Sequence, residues 1–202
     1  MSKRSNKSNP GAKAVAAAAG APGGRTAPRW FTGKRPIFQF VGIFVVLMGV
    51  FYAIARSSYM DKDVLPRYMA FNASASAMIL RVLGEDASSN GTFVSSPRYA
   101  VDIKRGCDAV EPSALFIAAV LAFPTALLPK LPGLLLGTFV LAIINLVRIV
   151  SLFYTGIYFP SLFETMHEDV WQALFILLAL FLWIVWAWWA TATRAARNHV
   201  AG

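Results

Sequence analysis

The chain has 202 residues, 57% of them hydrophobic and 14% charged, with 19 Lys and Arg against 10 Asp and Glu. That balance excludes an ordinary soluble domain and a disordered chain, both of which carry more charge and less apolar content. One cysteine (Cys107) and two histidines (His167 and His199) exclude an intrachain disulfide and a structural zinc site built from Cys and His.

Residues 1–36 hold Lys3, Arg4, Lys7, Lys13, Arg25, Arg29, Lys34 and Arg35 without one acid. Their Ala, Gly, Pro and Ser content cannot build a core, so a disordered basic arm is predicted there. Next to an apolar run such an arm reads as a positive-inside signal and not as a nucleic-acid site, and no nucleic-acid partner is expected. Charge then disappears over Ile37–Ala55, Pro112–Pro129, Leu131–Val147 and Val170–Thr193, and beyond Arg148 the third stretch continues as Ile149–Phe163. About 20 apolar residues cross roughly 30 Å of hydrocarbon. The prediction is an all-α integral membrane protein, a four-span helical bundle. Its first transmembrane helix is 37–55, an extracytoplasmic cap segment follows at 56–111, helices 2–4 occupy 112–193, and 194–202 form a cytoplasmic tail. Ala53-Ile54-Ala55 resembles a signal-peptidase site, but the long arm and bulky run favour an uncleaved anchor. With four spans both termini share one side. The arm, Lys130, Arg194 and Arg197 then lie in the cytoplasm, and every acid lies outside.

Within the outer segment, Val64, Tyr68, Phe71, Ala75, Met78 and Val82 recur at 3–4 spacing, with Leu65, Met69, Ile79 and Leu83 alongside. An amphipathic helix is predicted over Asp61–Leu83, Pro66 falling in its first turn, with its apolar face on the membrane or the bundle. Asn90-Gly91 signals a turn. Tyr99, Val101 and Ile103 alternate with polar neighbours, so a small hairpin should complete the cap.

Three residues stand out against this background. Cys107, in Arg105-Gly106-Cys107-Asp108, falls at the outer mouth of the second span, whose start Pro112 marks. A helix N-terminus and a nearby cation lower a thiol pKa, while Asp108 and Glu111 push the other way. Arg148 comes about 22 Å along the third span, counted from Gly133. An intramembrane Arg costs at least a few kcal/mol unless it faces protein interior or water, which makes function its default reading; snorkelling is the alternative. His167 lies just outside the fourth span. The topology brings all three to one outer boundary. A thiolate to attack a carbonyl, a guanidinium to stabilise an oxyanion and an imidazole to move a proton are the parts that acyl transfer requires.

Arg105-Gly106-Cys107-Asp108-Ala109-Val110-Glu111, Asn145-Leu146-Val147-Arg148-Ile149-Val150-Ser151-Leu152-Phe153-Tyr154, and His167 ahead of Trp171-Gln172-Ala173-Leu174 resemble the exosortase/archaeosortase family, most closely the exosortase H subgroup. The resemblance implies a multi-pass cysteine transpeptidase or protease of the bacterial inner membrane, working at the periplasmic side without a metal or cofactor. Its substrates would be exported proteins ending in a short motif of the Ile-Pro-Thr-Leu kind, a transmembrane helix and a basic cluster. They would be passed through a thioester to an acceptor. By position Cys107 would be the nucleophile, Arg148 the oxyanion or intermediate stabiliser and His167 the general acid/base, with Asn145 one helical turn away to orient the guanidinium. A membrane cysteine protease that only hydrolyses is the alternative of the same chemistry. A non-catalytic membrane scaffold, with Cys107 structural and Arg148 in a packing ion pair, is the alternative of a different class.

Overall fold

The computed structural model describes the backbone of residues 35–200 and the side chains of residues 35–192. The basic arm up to Lys34, and the charged side chains of the tail, lie outside the described residues.

Helix α1 (Arg35–Ala55) is apolar along its whole length and buries none of its residues. It touches the remaining chain at few points: Phe40 packs on Trp183 with ring centroids 5.7 Å apart, and Arg105 donates to the Ala55 carbonyl. A π-helical turn (Met60–Val64) leads into α2 (Leu65–Val82), which accepts Pro66 because the first helical turn needs no donor there. Three short strands follow, β1 (Ser88–Asn90), β2 (Phe93–Ser95) and β3 (Ala100–Asp102), in the antiparallel order β1-β2-β3. The β1–β2 turn is closed at Gly91, whose φ of 56° suits glycine. The predicted helix and hairpin are thus present, and the hairpin gains a third strand.

Of the predicted Val64, Tyr68, Phe71, Ala75, Met78 and Val82 stripe, Phe71, Met78 and Val82 are not covered by protein, which leaves the membrane of the two expected places for this face. The face α2 buries carries Leu65, Met69, Ala73, Ala77 and Leu80, with Asn72 and Ser76 among them. Small side chains let α2 approach the sheet and the bundle closely, and the bulky residues are left outward.

The bundle is built from α3 (Val110–Ala122), α4 (Lys130–Tyr158) and α5 (Trp171–Val200), which pack on one another. Among the described residues three helical segments are long and apolar enough to cross a membrane: Arg35–Ala55, Lys130–Tyr158 and Thr165–Ala192. The second of the four expected spans, Pro112–Pro129, is helical only to Ala122. Phe123 precedes Pro124 and is extended (ψ 131°), as the residue before a proline prefers to be. The 13 residues of α3 reach about 20 Å, short of the hydrocarbon thickness. α3 still runs beside α4 to its start, where the Lys130 ammonium donates to the Leu121 carbonyl. Close packing depends on small residues of α4: a Cβ at Gly137 would overlap the Phe116 ring, and one at Gly156 the Tyr99 ring. The core is continuous from cap to bundle, through Leu80, Val94, Ile103, Phe116, Leu152 and Phe175. Outward faces of α1, α4 and α5 remain rich in Ile, Leu, Val and Phe. An apolar exterior over a polar site at one end is the pattern a membrane protein requires.

Candidate active site

The loop between β3 and α3 turns back on itself. The Cys107 amide donates to the Lys104 carbonyl at 2.9 Å, and the turn passes through Gly106 at φ 89°. Ala109 follows in the left-handed region (φ 55°), and the Val110 amide donates to Asp108 Oδ1 at 3.1 Å, meeting one of the free donors at the start of α3. This folding buries Cys107, which is 3% exposed. His167 occupies a second unusual segment, a π-helical turn (Thr165–Val170) between a 3-10 turn (Pro160–Leu162) and α5. Such turns often sit at functional sites because they re-aim side chains. Phe163, four residues earlier, lies parallel to the imidazole (interplanar angle 5°, centroids 5.9 Å apart) and limits its rotation.

The thiol and the imidazole meet. His167 Nε2 is 3.0 Å from Cys107 Sγ. Arg148, 1% exposed, reaches both segments from α4: one terminal amino group donates to the Gly106 carbonyl at 2.7 Å, the other to the His167 carbonyl at 3.0 Å. Its guanidinium carbon lies 5.6 Å from the centre of the Phe175 ring. The side chain does not snorkel. It has no carboxylate partner among the described residues, and the carbonyls with the aromatic face stand in for one. Asn145 is fully buried one turn away, but its amide makes no hydrogen bond, to Arg148 or to any other described residue.

Electrostatics at the thiol is a contest. Burial pushes the Cys107 thiol above its ordinary pKa, the Arg148 cation pulls it down and Asp108 adds to the rise. The Asp108 carboxyl is itself raised, chiefly by burial, against the opposing backbone N–H groups, Arg105 and Arg148. Burial and Asp108 thus favour the protonated thiol against the pull of Arg148, and an imidazole stands beside it, the Cys–His arrangement of nucleophilic catalysis.

Sulfur and imidazole open into a cavity of about 370 Å³ whose walls include Tyr99, Asp102, Lys104, Glu164 and Glu168. A larger, almost wholly apolar cavity of about 490 Å³ lies elsewhere, among α1, α2, α3 and α4. Glu164, His167 and Glu168 bring their ligand atoms within 4.8 Å of one another, close enough for a cation. The sequence pointed to Cys107, Arg148 and His167 but not to the Gly106 and His167 carbonyls, since a carbonyl has no residue identity. It also missed Phe163, for which the only signal was its four-residue spacing from His167.

The family model described as "Transmembrane exosortase (Exosortase_EpsH)" matches residues 26–185. No curated protein and no solved structure matches the chain.

Proposed function

The chain belongs to the transmembrane exosortase family, and from that premise we propose that it is a cysteine transpeptidase acting on the C-terminal sorting signals of exported proteins. Membership by itself makes it a membrane transpeptidase or protease in the general sense. The finer reading rests above all on the 3.0 Å approach of Cys107 Sγ to His167 Nε2 beside a buried cation.

In this reading the protein sits in the bacterial inner membrane, with both termini in the cytoplasm and Cys107 facing the periplasm. The substrate's tail helix lies beside the enzyme's spans with its basic end inside, which carries the scissile peptide to the outer boundary. His167 takes the thiol proton as Cys107 Sγ attacks the carbonyl carbon. The imidazolium then gives that proton to the leaving nitrogen, so the peptide bond breaks, the tail helix departs and a thioester remains. An acceptor amine, or water, attacks the thioester and regenerates the thiol. Arg148 keeps a fixed positive charge by the sulfur and braces the loops that carry both reacting groups. Its Nε–H, which has no hydrogen-bond partner, remains a donor for an oxyanion while both amino groups hold their carbonyls. Asn145, one helical turn away, is buried with its amide unpartnered.

The test is processing in cells. Cys107→Ala should leave the substrate at full length, and His167→Ala should slow processing by about 10²–10⁴, the range for a lost general acid/base. Normal processing by a Cys107→Ala protein made at wild-type level would reject the enzyme. The mass of the product's new C-terminus separates transfer from hydrolysis.

A further inference from the structure

The sheet of the cap has an open edge, and that edge faces the thiol. β3 is the last strand of the order β1-β2-β3, paired on one side only. Consecutive residues Ala100, Val101 and Asp102 all line the cavity that holds Cys107 and His167. Alternate residues of a strand point to opposite faces, so a cavity that meets three in a row meets the strand's edge and not one of its faces. Hydrogen bonding gives the same orientation. The Tyr99 carbonyl accepts from the Ser96 amide and the Ile103 amide donates to the Thr92 carbonyl, both toward β2. In an antiparallel ladder these roles alternate. With Val94 opposite Val101 in register, Val101 also turns its backbone groups to β2. The N–H and C=O of Ala100 and Asp102 therefore point away from the sheet. They are two residues apart, the repeat at which an added strand pairs.

We infer that the extended segment of the substrate around its scissile bond docks as a fourth strand on the outer edge of β3, pairing with the backbone of Ala100 and Asp102. This rests on the enzyme reading above and specifies how the substrate is held. The occupant follows from the opposite wall. Whatever chain pairs with β3 lies across a cavity that contains the sulfur and the imidazole, which is where the scissile carbonyl has to be. Native sheets usually cover, bulge or block a free edge with proline. β3 has no proline, and its edge opens onto the reactive thiol. Main-chain pairing supplies affinity and alternate pockets supply selectivity, as in other strand-addition sites. Tyr99 and Phe163, with ring centroids 6.2 Å apart, form the aromatic part of the wall.

Proline at position 100 removes the outward N–H and leaves the β2–β3 ladder intact, since proline is tolerated on an edge strand whose N–H faces outward. In purified full-length protein, Ala100→Pro should lower kcat/KM on a synthetic sorting peptide by about tenfold, the weight of one net hydrogen bond, with most of the loss in KM. The rate of Cys107 alkylation by iodoacetamide reports the site independently of substrate and should be the same in wild type and Ala100→Pro. If Ala100→Pro disturbs alkylation, the same bond is removed from the substrate: peptides with one amide replaced by an ester should lose turnover at alternate positions. Wild-type turnover by an Ala100→Pro protein, or equal turnover of every ester peptide, overturns the docking mode. So does a change confined to self-association, which would assign the edge to a second copy of the chain. A Cys107→Ala protein that still processes substrate would reject the enzyme reading itself, an outcome separate from these.

Discussion

At Cys107 three influences meet within one turn of chain: burial, the Arg148 cation and the Asp108 carboxylate. Because burial raises the thiol's pKa, alkylation of Cys107 should need a higher pH than alkylation of a free cysteine does. Asp108 contributes to the rise, so Asp108→Asn, which keeps an oxygen for the Val110 amide, should move the alkylation midpoint to lower pH. Arg148→Lys retains the charge but cannot bridge two carbonyls in fork geometry. If Arg148 braces the site, alkylation of the Lys variant slows and its pH profile reverts toward that of an unpaired thiol. If Arg148 acts only on the oxyanion, alkylation is unchanged while processing falls, since alkylation forms no acyl oxyanion. Position in the sequence marked Arg148 as an intramembrane cation, and folding buries it to 1% exposure. Its partners were illegible because both are backbone atoms, 42 and 19 residues away.

Among the elements, the long apolar runs were legible and the interrupted one was not. α1 and α4 follow from charge-free stretches of sufficient length, but Pro124 and Pro129 cut the second stretch to a 13-residue helix. Prolines set a helix boundary more firmly than hydropathy does. α2 followed from spacing, while the face it turns to the protein sets Ala73, Ser76 and Ala77 between Leu65, Met69 and Leu80, small residues that hydrophobic periodicity ranks below Phe and Met. Close contact also decides α4, where Gly137 admits the Phe116 ring. Gly137→Leu should overpack this contact and cost about 1–3 kcal/mol, seen as a lower unfolding temperature in detergent. The equivalent change at Gly42 of α1, where nothing lies within 4 Å, should leave that temperature unchanged.

Across the molecule, the membrane class was legible in the sequence, while the 3.0 Å approach of Cys107 to His167 is a distance that only folding supplies. Cys107, Arg148 and His167 come from a loop, a long helix and a π-helical turn, all at the end of the bundle where α1 finishes and the sheet packs. On the positive-inside reading of the charges, this end is expected to face outward. A cysteine at exposed Ser89, in a Cys107→Ala background, should therefore react with a membrane-impermeant maleimide added to the periplasm. Labelling only after the membrane is breached would reverse the orientation. The most direct measurement is intact mass spectrometry of the full-length protein mixed with a sorting peptide and quenched in acid. A thioester route predicts an added mass equal to the acyl portion of the peptide, located on Cys107 and removed by hydroxylamine. Cleavage of the peptide with Cys107 unmodified throughout, and equally by the Cys107→Ala protein, would contradict it.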